Sequence, residues 1–236
     1  MVVEPLMQGA AGMIPQPAGW LRRVAEIARG HGAQLIADEV MTGFGRAGQD
    51  GLSASHLEGV QPDFVALAKG MTGGYLPMAA TLTTKPVFDA FLGDYDEFKT
   101  FFHGHSFTGN QLGAAAALAS LEILHNPASI HARQNLQRNL RRELRSLWAR
   151  PNVGDIRQVG LVAGIELVRD WRSRKAFDLR EQAGIRVCDA MARRGVLTRP
   201  IGNVIVLMPP YCATSNQVKR MVAVLAESID ETLLPG

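Results

Sequence analysis

The sequence predicts an α/β fold: a mainly parallel sheet with a crossover helix, followed by a small C-terminal α+β domain. Two short apolar runs, Leu35-Ile36-Ala37 and Phe64-Val65-Ala66-Leu67-Ala68, are bounded by turn residues. Such runs are the mark of strands covered on both faces, as parallel sheets require. Between Val2-Val3 and the first run, Trp20, Leu21, Val24, Ile27 and Ala28 recur at helical spacing, which makes a β-α-β unit. Beyond Ala128, leucines three or four apart lead into a second alternation of strand and helix.

Taken in order, Val2-Val3 is a strand that runs straight into Glu4-Pro5, and residues 8 to 17 form a loop rich in Gly and Pro. The helix that starts at Trp20 closes on Gly30 and Gly32. The strand at 35–37 ends in Asp38-Glu39, and a glycine-rich turn, Thr42-Gly43-Phe44-Gly45-Arg46, follows. The strand at 64–68 delivers Lys69, and a further strand is expected across Met78 to Thr83. Residues 93–108 make a long loop carrying Tyr95, Phe98, Phe101, Phe102, His103, His105 and Phe107, and a loop of that length with aromatic content points to function. An alanine-rich helix runs from about Asn110 to Leu124.

The long helix from Ala128 to Arg150 buries Leu136, Leu140, Leu144 and Leu147 and leaves an arginine-rich face in water. It divides the chain into residues 1–126 and 127–236. The second part holds a strand at Leu161 to Val168, a helix at about Arg180 to Arg194, a strand pair at Val196 to Arg199 and Val204 to Met208, and a last helix from about Ser215 to Leu233.

Composition narrows the function. With 47% hydrophobic and 20% charged residues, the 236-residue chain has the makings of an ordinary globular core. Its 25 Lys and Arg against 22 Asp and Glu leave +3, not gathered into an aromatic-laced basic face, so no nucleic-acid partner is expected. Two cysteines cannot form a disulfide framework or a four-thiolate metal site, and no run of about 18 apolar residues could span a bilayer. The expectation is a cytoplasmic protein without metal or membrane partner. Because Val2-Val3 has no lead-in, the sequence is expected to belong to a longer polypeptide.

In parallel α/β sheets, ligands sit at the carboxyl ends of the strands, where Asp38 and Lys69 stand. An apolar run ending in Asp-Glu also closes a Walker B strand, but that reading needs a GxxxxGK[ST] phosphate loop, which the sequence lacks. A zinc site on His103 and His105 lacks further ligands at a useful spacing. An amine and a carboxylate together fit pyridoxal 5'-phosphate, which needs one to bond its aldehyde carbon and the other to keep its pyridine nitrogen protonated. By themselves, an Asp and a Lys on neighbouring strands are about as well explained by chance.

The linked motifs tip the balance. Glu4-Pro5 with the following Gln8-Gly9, the string from Ala37 to Arg46, and Leu67-Ala68-Lys69-Gly70-Met71-Thr72-Gly73-Gly74 resemble the signature of the class III pyridoxal-phosphate aminotransferases, a fold type I family. Tyr75-Leu76-Pro77-Met78-Ala79-Ala80-Thr81, the string from Phe102 to Asn110, and Thr198-Arg199-Pro200 with Met208-Pro209-Pro210-Tyr211 are most similar to the subgroup acting in biotin biosynthesis. The resemblance implies amination of 8-amino-7-oxononanoate to 7,8-diaminononanoate, with S-adenosylmethionine or lysine as amino donor, in a homodimer with shared active sites. It implies that Lys69 bonds the cofactor, that Asp38 and Val40 contact its ring, and that His105 and Ser106 reach its phosphate from the neighbouring subunit. It also implies that Gly104 lines the substrate pocket and that Arg199 holds the substrate carboxylate, a task suited to a bidentate guanidinium.

The sequence departs from the wider family at Ala10, where ornithine-type relatives carry a Glu that masks the pocket arginine, so Arg199 is expected to stay unmasked. Val206 stands where the subgroup can place a Tyr. The family's N-terminal part, with its Gly-Ser phosphate turn and ring-stacking aromatic, has no counterpart before Met1. A fragment that turns over nothing, or another class III ω-aminotransferase, are the competing expectations.

Overall fold

A computed structural model describes residues 1–48 and 51–234. In chain order the elements are β1 (Val2–Val3), β2 (Met7–Gln8), β3 (Ile14–Pro15), α1 (Trp20–Gly30), β4 (Ile36–Asp38), β5 (Phe64–Leu67), β6 (Ala80–Thr83), α2 (Lys85–Asp89) and α3 (Gln111–His125). There follow α4 (Pro127–Leu144), β7 (Val153–Val159), β8 (Val162–Asp170), β9 (Lys175–Ala176), α5 (Ala183–Arg193), β10 (Pro200–Ile201), β11 (Val204–Leu207) and α6 (Ser215–Leu233). They cluster into two compact units: residues 1–6, 16–45 and 51–126 form the first, and residues 7–15, 46–50 and 127–236 the second.

The first unit holds a four-stranded sheet in the order β1-β4-β5-β6. The pairs β1–β4 and β4–β5 are parallel and β5–β6 is antiparallel. Leu21, Ala25 and Ala28, spaced three and four apart, form the buried stripe of α1. With Val3, Leu35 and Val60, the first two of these make the unit's small core. Gly19, in the left-handed region at φ 80°, offers α1 no capping side chain. Glu58 supplies one from a distance, its carboxylate accepting from the amides of Gly19 (2.9 Å), Leu21 (3.0 Å) and Arg22 (3.3 Å). Asn110 caps α3 by accepting from the Leu112 and Gly113 amides at 2.9 and 3.2 Å.

The strand at β5 is half-buried along its whole length, not covered on both faces as its apolar run suggests. The elements that follow explain this: α2 buries no residue, and every residue from 91 to 112 is exposed. None of them supplies cover. The short α2 itself was not foreshadowed by any apolar periodicity.

The second unit builds an antiparallel sheet, β10-β11-β8-β7 with β9 on the end of β8, and packs helices against it. Leu136, Leu140 and Leu144 of α4, Val187 and Met191 of α5, and Val218, Val222, Leu225 and Ile229 of α6 enclose Ile165, Leu167, Ile205 and Leu207. Three expectations are corrected here. The helix from Ala128 ends at Leu144 and continues as a 3-10 turn over Arg145–Ala149. The strand β7 was missed because Gly154, Asp155 and Arg157 break any apolar alternation. Gly154 is there because a Cβ would come within 2.5 Å of Val168 Cγ1 on β8.

The strand expected at Val196 to Arg199 instead occupies Pro200–Ile201. The two-residue turn at Gly202-Asn203, with Gly202 at φ 56°, sets Ile201 opposite Val204. Pro200, with no N–H, ends the regular ladder one pair later. The loop expected over residues 8–17 is largely the β2–β3 hairpin, which begins one residue earlier with Met7 opposite Pro15. No described helix is long and apolar enough to cross a membrane.

Candidate active site

Asp38 is the last residue of β4 and lies opposite Ala66 of β5, three residues before Lys69. Both charged groups therefore leave the carboxyl ends of adjacent parallel strands at one edge of the sheet. The Asp38 side chain turns back on its own chain, its Oδ1 accepting from the Val40 amide at 3.0 Å, an Asx-turn that fixes the carboxylate as the strand ends. Asp63 ties the other end of the strand pair by accepting from the Leu35 amide at 2.7 Å.

Lys69 opens a single 3-10 turn, Lys69–Met71, with a backbone φ of 47°. A side chain other than glycine in the left-handed region costs about 1 kcal/mol or more and persists only where its surroundings impose it. Those surroundings are visible. A Cβ on Gly70 would lie 2.8 Å from Phe44 Cβ, so the turn after Lys69 presses directly on the turn after Asp38. Ser120 of α3 donates to the Gly70 carbonyl at 3.1 Å, and Thr72 donates to the Leu76 carbonyl at 2.6 Å. Gly43 lets its own turn close, because a Cβ there would meet the Glu39 carbonyl at 2.8 Å. These contacts give Gly43 and Gly70 their physical purpose.

Lys69 is exposed and lines a cleft of about 1020 Å³, which Thr72, Met78, His105, Phe107 and Asn110 also line. His105 Nδ1 accepts from the Phe107 amide at 3.1 Å, which leaves the ring proton on Nε2 as a donor. Thr108 closes the same turn, accepting at Oγ1 from the His105 amide at 3.1 Å. The cleft thus brings together Lys69 and His105. Asp38 and Val40, both half-buried, and Gly104 and Ser106, both exposed, are not among its lining residues. Arg199 is exposed in the second unit, immediately before β10, where its carbonyl accepts from the Val206 amide at 3.3 Å. Within that unit the Arg46 guanidinium lies 4.4 Å from the centre of the Tyr211 ring and donates to the Pro209 carbonyl at 2.7 Å. Burial pushes the Tyr211 hydroxyl above its usual range, opposed by the charges of Arg46 and Arg133.

Sequence reasoning did not single out Thr72, Phe44 or Met78. The spacing Lys69-Gly70-Met71-Thr72 carried the signal for Thr72, since a hydroxyl beside a glycine turn is available to tie it. Nothing in the sequence marked Phe44 as the surface against which Gly70 packs.

The class III aminotransferase family model matches residues 1–229. The adenosylmethionine-8-amino-7-oxononanoate aminotransferase of Anoxybacillus flavithermus is 49% identical over 232 residues, covering 98% of this chain and 51% of its own. Its namesake from Geobacter sulfurreducens is 48% identical, with coverages of 97% and 50%. Among solved structures, the enzyme of the same name from Methanocaldococcus jannaschii superposes with a TM-score of 0.93 at 40% identity, over 99% of this chain and 54% of that one. An amine transaminase from an uncultivated Pseudomonas species, solved in a PLP-bound form, gives a TM-score of 0.89 at 37% identity, over 98% of this chain and 52% of that one. The chain spans about half the length of the curated relatives it matches. Matched over nearly its whole length, with the strand-end Asp38 and Lys69 set inside the matched region, this chain belongs to the class III aminotransferase family.

Proposed function

We propose that this chain carries the chemical centre of a pyridoxal-phosphate aminotransferase that converts 8-amino-7-oxononanoate to 7,8-diaminononanoate, with S-adenosylmethionine as amino donor. The observation that carries the reading is the placement of Asp38 and Lys69 at the ends of adjacent parallel strands, with Lys69 held out into the cleft. The relatives' names favour adenosylmethionine over lysine as donor.

The residues present fit the cofactor. Lys69 provides an accessible amine for an aldehyde carbon, and Asp38 an oriented carboxylate for a pyridinium nitrogen. Bound there, the cofactor would supply an electron sink. Lys69 Nζ would have two tasks there: to hold the cofactor at rest and, when free of it, to move a proton to and from the substrate carbon. Asp38 would keep the ring nitrogen protonated, and Val40, whose amide orients the Asp38 carboxylate, would contact the ring. His105 Nε2 and the Ser106 hydroxyl, reaching across from the neighbouring subunit, would donate to the phosphate, Gly104 would line the substrate pocket, and Arg199 would pair with the substrate carboxylate. Over the full exchange, the donor loses its amino group and becomes a carbonyl compound, while the ketone carbon of the acceptor gains an amine and a hydrogen.

The working form is a homodimer with shared sites, in the cytoplasm, with small-molecule substrates and no nucleic-acid or membrane partner. Support for the dimer comes from the apolar surface of the first unit, where Tyr75, Tyr95, Phe102 and Phe107 are between 77% and 95% exposed. The half-length match favours a second reading, in which the chain contributes these groups to a site completed by residues outside it. Borohydride reduction after incubation with pyridoxal phosphate separates the two. Covalent label at Lys69 in the chain alone, lost in Lys69→Ala, supports the first reading. Label that appears only on adding the N-terminal half of a relative supports the second, and label at other lysines alone refutes both.

A further inference from the structure

Glu39 is fully buried although it follows Asp38 directly and belongs to no apolar run. Its carboxylate is saturated with donors. Oε1 accepts from the Ser53 hydroxyl (2.9 Å), the Ser55 amide (2.8 Å) and the Ser55 hydroxyl (2.6 Å), and Oε2 accepts from the Ala54 amide (2.7 Å). Four donors are what an acceptor-only group requires to offset the water it leaves. Its backbone is held equally well. The Glu39 amide donates to the Ala66 carbonyl at 3.0 Å, closing the β4–β5 ladder at the Asp38–Ala66 pair, and its carbonyl accepts from the Gly43 amide at 2.9 Å.

Successive side chains on a strand point to opposite faces. Because the hydrogen bond to β5 holds the Glu39 backbone immediately after Asp38, locking its carboxylate into the 53–55 segment on one face constrains the direction of Asp38 on the other. The closeness of the Gly43 Cβ position to the Glu39 carbonyl (2.8 Å) transmits the same constraint to the glycine turn that bears Phe44. We propose that Glu39 is the positioning residue of the site: anchored to Ser53, Ala54 and Ser55, it sets the orientation of the Asp38 carboxylate. The inference rests on the assignment of Asp38 as the ring-nitrogen partner, but its geometric part is open to test without any cofactor.

Single-residue amide exchange by NMR on the full chain provides that test. The Val40 amide reports the Asp38 clamp, since it donates to Asp38 Oδ1. In Glu39→Gln, whose side-chain NH2 faces donors, exchange at Ala54, Ser55 and Val40 should accelerate together by at least tenfold, while Ile165 and Leu207 in the second unit stay unchanged. Ser55→Ala, a milder change should Glu39→Gln not fold, should move the same three amides in the same direction. Acceleration at Ala54 and Ser55 with Val40 unaffected would overturn the proposal, leaving Glu39 as a loop anchor only. Titration with pyridoxal phosphate adds the functional readout. Glu39→Gln should weaken binding about tenfold, and Asp38→Asn/Glu39→Gln should bind no more weakly than Asp38→Asn alone, because Glu39 acts through Asp38. Additive losses would overturn the positioning role. A wild-type chain that binds no pyridoxal phosphate would sink the cofactor assignment, and the exchange data would still decide Glu39.

Discussion

Replacing Gly70 with Ala tests the contact that joins the two motifs. The new Cβ would sit 2.8 Å from Phe44 Cβ and 3.2 Å from Phe44 Cγ and Cδ2. Ordinary carbon contacts need roughly 3.5–4.0 Å, so about 1 Å must be found. Phe44 is only 6% exposed and cannot swing aside, because the nearest atom is its Cβ, which moves only with the backbone. The displacement falls on the Lys69 turn. Overpacking of this kind costs about 1–3 kcal/mol, and a shift of about 1 Å at a reacting group costs on the order of 100-fold in rate. Urea denaturation should show the first loss, and pyridoxal-phosphate titration at least a tenfold loss of affinity. The companion Phe44→Gly removes the opposing Cβ, and at φ 55° glycine suits that backbone. Phe44→Gly/Gly70→Ala should therefore be more stable than the sum of its single changes by about 1–3 kcal/mol. Strict additivity, or a Gly70→Ala chain with unaltered stability and affinity, would refute the argument.

Other expectations follow from the same geometry. Glu58→Ala removes the acceptor of the Gly19 N-cap amide and of two α1 amides and should lower stability by about 1–2 kcal/mol in urea denaturation, with Glu58→Gln losing less. Gly160→Ala places a Cβ 2.3 Å from the Ala47 carbonyl carbon on a backbone at φ 56°, and should cost roughly 2–5 kcal/mol or prevent folding, read by circular dichroism. Burial, with the charge of Asp189 acting the same way, pushes the Cys188 thiol up to about 11, so at pH 8 it stays protonated and unreactive. Iodoacetamide at pH 8 should label exposed Cys212 and leave Cys188 untouched until denaturant is added, as mass spectrometry of the digested chain would show.

The strands that carry Asp38 and Lys69 were legible because each is a short apolar run ending in a charge, and α6 keeps the bounds expected for it, Ser215–Leu233, with its buried residues at helical spacing. β7 was illegible for the opposite reason: its sequence is set by what it packs against and not by its own alternation. The site divides the same way. Lys69 and Asp38 stood out in the sequence through the motifs that carry them, whereas the direction proposed for Asp38 depends on Glu39, whose four donors lie 14 to 16 residues away. A carboxylate beside another carboxylate reads as one more charged residue. Only burial distinguishes the anchor from the working group.

The apolar surface of the first unit sets up the final prediction. A helix that is apolar nearly all round belongs in an interior, yet α3 buries only Gly113, Ala117 and Leu124 and leaves Leu112, Leu118 and Ile123 between 64% and 70% exposed. Phe98, Phe101, Phe102 and Phe107, at 62% to 78% exposed, precede it in the chain. Monomers seldom carry this much exposed apolar surface without covering it. On the homodimer proposal, light scattering behind size exclusion should give about twice the 25.6 kDa chain mass. Leu118→Lys/Ile123→Lys should shift the protein to monomer, because burying an unpaired ammonium costs more than the contact returns. The urea midpoint of the monomeric variant should fall and lose its dependence on protein concentration. A wild-type chain that runs as a monomer at tens of micromolar, with a concentration-independent midpoint, would refute the homodimer reading of this surface.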